Sequence, residues 1–249
     1  MQEPMRVCVI CDSRYGTTLE LARAVARGAE QEGAEVRLRR VTIEEPEYSV
    51  DPERADFQAT LAEYRALPRA GEADLEWARG IVWGSPTRYG LMSTPLRAFI
   101  DEVAPLWRRG ALIGKVGAAF TSTGGMHSGN EITLINLLLP FFQHGMVLAG
   151  VPHSVPELVR TVKGGSPYGA SAVTGFDGTR GWTRTSWPLP GRWGRGWRVW
   201  PGRSGPSPPP WSWPPTKIKS GNQVGAFGAG MKVACIRKEP MQPEQQACA

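Results

Sequence analysis

Three short stretches carry the residue types that can hold a flat, anionic ligand. Ser13-Arg14-Tyr15-Gly16-Thr17-Thr18 places hydroxyls, a cation and a glycine directly ahead of a predicted helix. Backbone N–H groups at a helix start, together with the positive end of its dipole, attract a phosphate, and Gly16 lets the backbone come close. The stretch has no G-x-G-x-x-G and no phosphate-loop lysine, so it is neither a dinucleotide fingerprint nor an NTP loop and suits a phosphate monoester. Taken alone, it also fits an ordinary capped βα turn. Gly84-Ser85-Pro86-Thr87-Arg88-Tyr89-Gly90 is a tight loop with one cation and one aromatic. Thr121-Ser122-Thr123-Gly124-Gly125-Met126-His127-Ser128-Gly129 is too rich in glycine for a strand and too short for a linker. It offers backbone donors to the edge of a polar ring.

The elements between these loops must bring them together. Arg6–Asp12 is a nearly continuous apolar run, as in a parallel strand buried on both faces. Thr17–Glu32 has apolar residues at helical spacing and ends at Gly33. Glu35–Ile43 alternates as a second, more exposed strand. Residues 44–72 read as irregular and polar, with at most a helical piece at Arg54–Ala66; a short helix follows at Ala73–Ala78. Gly80–Trp83 is the third strand, and Ser93-Thr94-Pro95 starts a helix that reaches Val103. Lys115–Thr121 is the fourth strand, Glu131–Gln143 an apolar helix and Met146–Ala149 the fifth strand. The pattern predicts an α/β fold, a doubly wound five-stranded parallel sheet. In such sheets ligands bind outside the C-terminal strand ends, where the strand order reverses. The three loops follow strands one, three and four.

Composition divides the chain. Residues 1–175 hold 18 Lys+Arg and 20 Asp+Glu, whereas residues 176–249 hold 11 and 3, so the net +6 belongs to the tail. Seven of the ten tryptophans and half of the prolines also follow Gly175. One α/β domain at 1–180 and an irregular Trp/Pro/Gly/Arg-rich tail at 181–249 are therefore expected. The tail has no helical or strand period, and its composition is what a GC-rich gene yields when read out of frame; a frameshift near Gly181 is one reading and a genuine interaction tail the other. The longest apolar stretch, Leu134–Phe142, is far short of the ~18–20 residues of a membrane span. No secretory leader is read at the N-terminus, and a reducing cytoplasm fits the four cysteines. Cys8 and Cys11 sit at i and i+3 of a strand and point to opposite faces, so a structural role is expected. His144 and His153 lack partners at metal-ligand spacing, and no metal site is expected. Trp77 and Trp83 flank strand three and read as core. Nucleic acid is not expected as a partner.

Taken together, SRYGTT, GSPTRYG, the Trp107 segment APLWRRGALIGKVGAAFTSTGG, Gln143-His144-Gly145-Met146 and Ser166-Pro167-Tyr168-Gly169 resemble the WrbA family over residues 5–180. Its members are flavodoxin-like, FMN-dependent NAD(P)H:quinone oxidoreductases that are usually tetrameric. The resemblance implies that Ser13, Arg14, Tyr15, Gly16, Thr17 and Thr18 hold the FMN phosphate, with Tyr15 also near the nicotinamide. It implies that Pro86, Thr87, Arg88, Tyr89 and Gly90 line the isoalloxazine, and that Ser122, Thr123, Gly124, Gly125, Met126 and His127 contact its polar edge. Trp107 would roof the nicotinamide and quinone pocket across a subunit interface. Two departures stand out: Gln143 occupies the first of two positions that are histidine in many relatives, near the flavin, and the Gly-rich loop is one residue longer here.

The implied chemistry is two-electron, ping-pong hydride transfer from NADH or NADPH to a quinone through one shared pocket, with no essential side-chain acid or base. The three loops contain no Asp or Glu, while Arg14, Arg88 and His127 are present. Positive charge beside the flavin favours two-electron chemistry over a one-electron carrier. Two other classes stay open: a flavodoxin-like electron carrier or FMN reductase, and a non-catalytic module disabled by its altered C-terminus.

Overall fold

The computed structural model describes residues 3–41, 55–162 and 164–175. The tail at 181–249, the domain boundary at 180, the frameshift reading and the first residues of the 54–66 helix lie outside the described residues. Strands β1 (Arg6–Cys11), β2 (Glu35–Arg40), β3 (Gly80–Pro86), β4 (Val116–Thr123), β5 (Val147–Leu148) and β6 (Ala170–Val173) form one parallel sheet. Helices α1 (Thr17–Gln31), α2 (Ala55–Ala66), α3 (Glu72–Trp77), α4 (Thr94–Glu102), α5 (Ala104–Arg108), α6 (Asn130–Gln143) and α7 (Pro156–Arg160) connect them.

The strand order is β2-β1-β3-β4-β5, with β6 paired to β4. The order reverses between β1 and β3, which places the crevice beyond Cys11 and Pro86. A five-stranded sheet was expected, and the difference lies at the outer position. There β5 pairs with the start of β4 (Val116↔Val147) and β6 with its end (Phe120↔Ala170 to Thr123↔Val173). The chain leaves the sheet after Leu148 and returns at Ala170, after 21 intervening residues, to the same outer position. β6 is the strand missed in the sequence: four residues, reached through two turns, carry too little periodicity to be seen.

Two cores sandwich the sheet. Val7, Val9, Cys11, Val82, Ala118 and Phe120 pack under α1, where Leu19, Ala22, Val25, Ala26 and Ala29 are buried. Cys8, Ile10, Ile81, Trp83 and Ala119 pack against α4 and α6. Cys8 and Cys11 therefore face opposite cores, both buried and free. Burial pushes the Cys8 thiol up to about 12, and that of Cys11 higher still. Helix α1 ends where the Ala34 N–H reaches Ala29 O (3.0 Å) around Gly33, at φ 83°.

Trp83 is core, as expected: its ring stacks on Phe141 with centroids 3.9 Å apart, and its Nε1 donates to Leu137 O at 2.7 Å. Trp77 packs against the same core but is only half-buried, at the N-terminal strand edge, with the Arg37 guanidinium 4.0 Å from its ring centroid. At the other edge, Tyr64 of α2 donates to Cys11 O (2.8 Å) and accepts from Val41 N (3.2 Å), which fixes the ends of β1 and β2 beside the crevice.

Candidate functional site

The three loops named above meet at the C-terminal edge of the sheet, around the β1/β3 reversal. The first runs from β1 into α1. Ser13 is buried, and its Oγ accepts from Leu19 N (3.1 Å), while Gly16 at φ 94° is the residue before the helix. A Cβ on Gly16 would stand 2.9 Å from Thr60 Oγ1 as well as being strained at that φ. Tyr15, Gly16 and Thr17 remain half-exposed, and no side chain caps the helix at Gly16. The start of α1 thus presents a dipole end and backbone donors to an anion, with no acid inside the loop. Thr18 points the other way: its hydroxyl is buried, 2.7 Å from Ser122 Oγ.

The second loop begins later than expected, because β3 continues through Ser85 and Pro86. Gly84 is required there, since a Cβ would fall 2.0 Å from the Phe120 ring. Ser85 Oγ accepts from Ser93 N (2.7 Å) and donates to Pro86 O (2.8 Å), closing the loop at its base. Thr87 N donates to Ser122 O (2.9 Å), and Thr87 Oγ1 lies 2.6 Å from Thr133 Oγ1 on α6. Arg88 and Leu91 exchange backbone hydrogen bonds of 2.8 Å across the turn. Tyr89 at the tip has φ 53°, a left-handed conformation that costs a non-glycine residue free energy, and its side chain is fully exposed at 104%. A strained aromatic held out from a rigid loop is an arrangement suited to stacking on a ligand.

The third loop follows β4, which also extends further than expected, to Thr123. Ser122 and Thr123 are therefore buried strand residues, with Ser122 committed to Thr18. Gly124 to His127 form the turn, in which Thr123 Oγ1 donates to Gly125 O (2.7 Å) and Asn130 Nδ2 to Met126 O (3.0 Å). Met126 and His127 are exposed. The loop packs directly on the second: a Cβ on Gly129 would meet the Gly90 backbone at 3.1 Å.

Asp12 was not among the expected site residues. It sits one position before the first loop, 4% exposed, with its N–H bonded to Gly84 O at 3.0 Å. Burial raises its pKa, opposed by Ser93, by the charges of Arg14 and Arg88 and by the Ser13 N–H. The Arg88 guanidinium is in turn lowered, first by burial and then by Arg14 beside it, with Asp12, Tyr15 and Tyr89 opposing. The loops are free of acids, but a buried carboxyl one position before the first loop interacts electrostatically with their two arginines. The signal was the polar residue that ends the apolar run RVCVICD.

Trp107 and Gln143 are not brought to these loops within the chain. Gln143 ends α6, which starts at the Gly-rich loop and runs back to the opposite edge of the sheet, and His144 behind it is buried. Fourteen helical residues span about 20 Å. Trp107 on α5 is exposed at 54%. The segment after it reaches the same far edge, where Gly114 N donates to Gly145 O at 3.0 Å. Among the described residues no group of three or more His, Cys, Asp or Glu could hold a metal. No described helix is long and apolar enough to cross a membrane.

Residues 5–155 match the family model described as NADPH-dependent FMN reductase. The chain is 41% identical over 179 residues to a protein of Sinorhizobium fredii named NAD(P)H dehydrogenase (quinone), which covers 70% of this chain and 86% of the relative. A protein of the same name from Paraburkholderia phymatum is 40% identical over 177 residues, with the same coverage. Among solved structures, a WrbA-like flavodoxin from Agrobacterium tumefaciens superposes with TM-score 0.50 at 22% identity, over 78% of this chain and 98% of that one. Oxidised Flavodoxin 1 from Bacillus cereus does so with TM-score 0.50 at 14% identity, over 78% and 97%. These two likenesses show the flavodoxin-like fold.

Proposed function

The chain belongs to the NADPH-dependent FMN reductase family, as a WrbA-like member of it, and on that premise we propose that it is an FMN-dependent NAD(P)H:quinone oxidoreductase. The observation that carries the reading is the convergence of three loops at the β1/β3 reversal: one with a half-exposed helix start at Gly16 and two packed on each other beside it. The residues fit FMN. A phosphate monoester suits the donors and dipole at Tyr15, Gly16 and Thr17, and the half-exposed approach at Gly16 would be narrowed by any side chain there. A flat ring suits the space framed by Thr87–Gly90 and Gly124–His127. Bound flavin supplies the two-electron chemistry that connects NAD(P)H with a quinone.

The chain's own residues bind and orient. Ser13 shapes the first turn of α1 through its bond to Leu19 N, and Thr18 and Ser122 lock that turn to β4. Tyr89 offers its ring to the exposed side of the site, where a nicotinamide and then a quinone would stack. Arg88 and Arg14 supply positive charge, which favours an anionic reduced ring.

The site is completed by a second subunit in this reading, and the assembly is a homo-tetramer located in the cytoplasm. Ile132, Ile135, Leu139 and Phe142 form an exposed apolar stripe along α6, from the ring loops to the end that carries Gln143. Such a stripe is suited to an isologous contact. Antiparallel pairing of two α6 helices would bring Gln143 of one subunit to the Gly-rich loop of the next, with Trp107 near the same rim.

The test is an FMN titration of the full-length chain followed by steady-state oxidation of NADH and NADPH with a quinone. Saturation near one FMN per chain and parallel-line kinetics are expected. FMN binding with electron transfer to free flavin or a protein acceptor, and none to quinones, would favour the carrier or FMN reductase reading.

A further inference from the structure

The buried carboxyl beneath the loops has no part in the scheme above. Asp12 directly follows β1, on the side of the sheet that faces α4. It lies between the phosphate loop, which contributes Arg14 and the Ser13 N–H, and the ring loop, which contributes Arg88. From the start of α4 comes Ser93, near enough to favour the charged carboxyl, yet neither Asp12 Oδ2 nor Ser93 Oγ completes a hydrogen bond of good geometry among the described residues. Behind it lie Cys11 and Tyr64, whose ionisation the Asp12 charge opposes. A carboxylate in this position is favoured against its desolvation first by Ser93 and then by the charges of Arg14 and Arg88, and a phosphate at the adjacent loop would offset those charges.

We propose that Asp12 is a positioning carboxyl of the phosphate site: buried beside the first loop with an unpartnered oxygen, it takes up a proton from solvent when a phosphate monoester binds at that loop. The proposal rests on the reading of the first loop as the FMN phosphate site. No covalent bond forms or breaks. The proton sits on a carboxylate oxygen, Oδ2 being the one without a partner, and can be donated toward Ser93 Oγ, so that one event satisfies two orphaned groups.

The sign follows from linkage. Binding a dianion near Asp12 raises its pKa above that of the free protein, so the complex is favoured below the free-state pKa and loses affinity as pH rises through the bound-state value. The isosteric variant Asp12→Asn removes the titration. The phosphate of FMN itself titrates near pH 6, as phosphate monoesters do, but it does so with both proteins and cancels in their ratio.

The experiment is FMN titration of the full-length chain and of Asp12→Asn from about pH 5.5 to 8.5, with calorimetry in two buffers of different ionisation enthalpy to count protons. The ratio of wild-type to variant Kd is expected to rise about tenfold across that range, and the wild type to take up more protons per FMN than the variant. A flat ratio with equal proton exchange overturns the role of Asp12 while leaving FMN binding intact. Absence of FMN binding by the wild type at every pH overturns this proposal and the cofactor reading together. If Asp12→Asn does not fold, the wild type alone decides at pH 8, where FMN phosphate is already a dianion: net proton uptake supports the role and none overturns it.

Discussion

Thr18 and Ser122, 104 residues apart in the chain, share a buried hydrogen bond of 2.7 Å that ties the first turn of α1 to the end of β4. The bond joins the helix start that would face a phosphate to the strand from which the Gly-rich loop departs. One bond between two hydroxyls leaves one O–H still able to donate, so the pair can hold the site together as well as face a ligand.

Ser122→Ala removes one partner and strands the other. A buried hydroxyl without a partner costs about 1–3 kcal/mol, so the urea midpoint should fall with the slope unchanged. FMN affinity should weaken as well, because the phosphate turn loses its anchor. A variant that lost stability while binding FMN as tightly as the wild type would show that the turn is held by other means.

Gly84→Ala tests how closely the ring loop is seated. The added Cβ would stand 2.0 to 2.3 Å from three atoms of the Phe120 ring. Overpacking of this kind costs about 1–3 kcal/mol, and here the displaced ring belongs to the strand beside the site. Denaturant unfolding should show the loss, and an unchanged midpoint would mean that Phe120 moves aside freely.

The doubly wound order of the sheet was legible because its central strands are long apolar runs and its helices keep their spacing. RVCVICD and GIVW need no tertiary information to be read as buried strands. The loops were legible for the opposite reason: glycine and hydroxyl residues interrupt those patterns at fixed places. What escaped the sequence depends on contacts across the sheet. β3 and β4 run on through Pro86 and Thr123 because they pair with each other and, at the end of β4, with β6. Trp77 sits at the rim of the core and not inside it, where Arg37 and Arg39 of β2 converge on Asp74 (3.1 and 3.0 Å) and a guanidinium lies over its ring. Asp12 was passed over as the polar end of a strand, since nothing local reveals that Arg88, from a loop 76 positions away, would lie near it.

Tyr89→Gly separates backbone strain from side-chain function. A residue other than glycine at φ 53° carries about 1–2 kcal/mol of strain, and glycine releases it while increasing the freedom of the unfolded chain. Stability should therefore change little, although a fully exposed aromatic is lost. Quinone reduction with NAD(P)H should fall through a higher KM for one or both substrates, as expected when a stacking platform is removed. Unaltered KM values would assign the strain to the turn alone.

The shared-site reading can be tested by complementation. Gly16→Val should abolish FMN binding in its own subunit, because the new side chain meets Thr60 Oγ1 at a φ of 94°, while leaving α5 and the end of α6 intact. Trp107→Ala should bind FMN but lose the exposed indole that would complete a neighbouring site. Each variant alone should reduce quinones poorly. After dissociation and reassembly as a mixture, a Gly16→Val subunit can lend Trp107 to the FMN site of a Trp107→Ala subunit. Activity of the mixture should then exceed the sum of the two parents, with a dependence on mixing ratio that peaks near equal amounts. A mixture that only averages its parents would place Trp107 in the site of its own chain or outside any site, and the far-edge position of α5 would then have to be explained by folding alone.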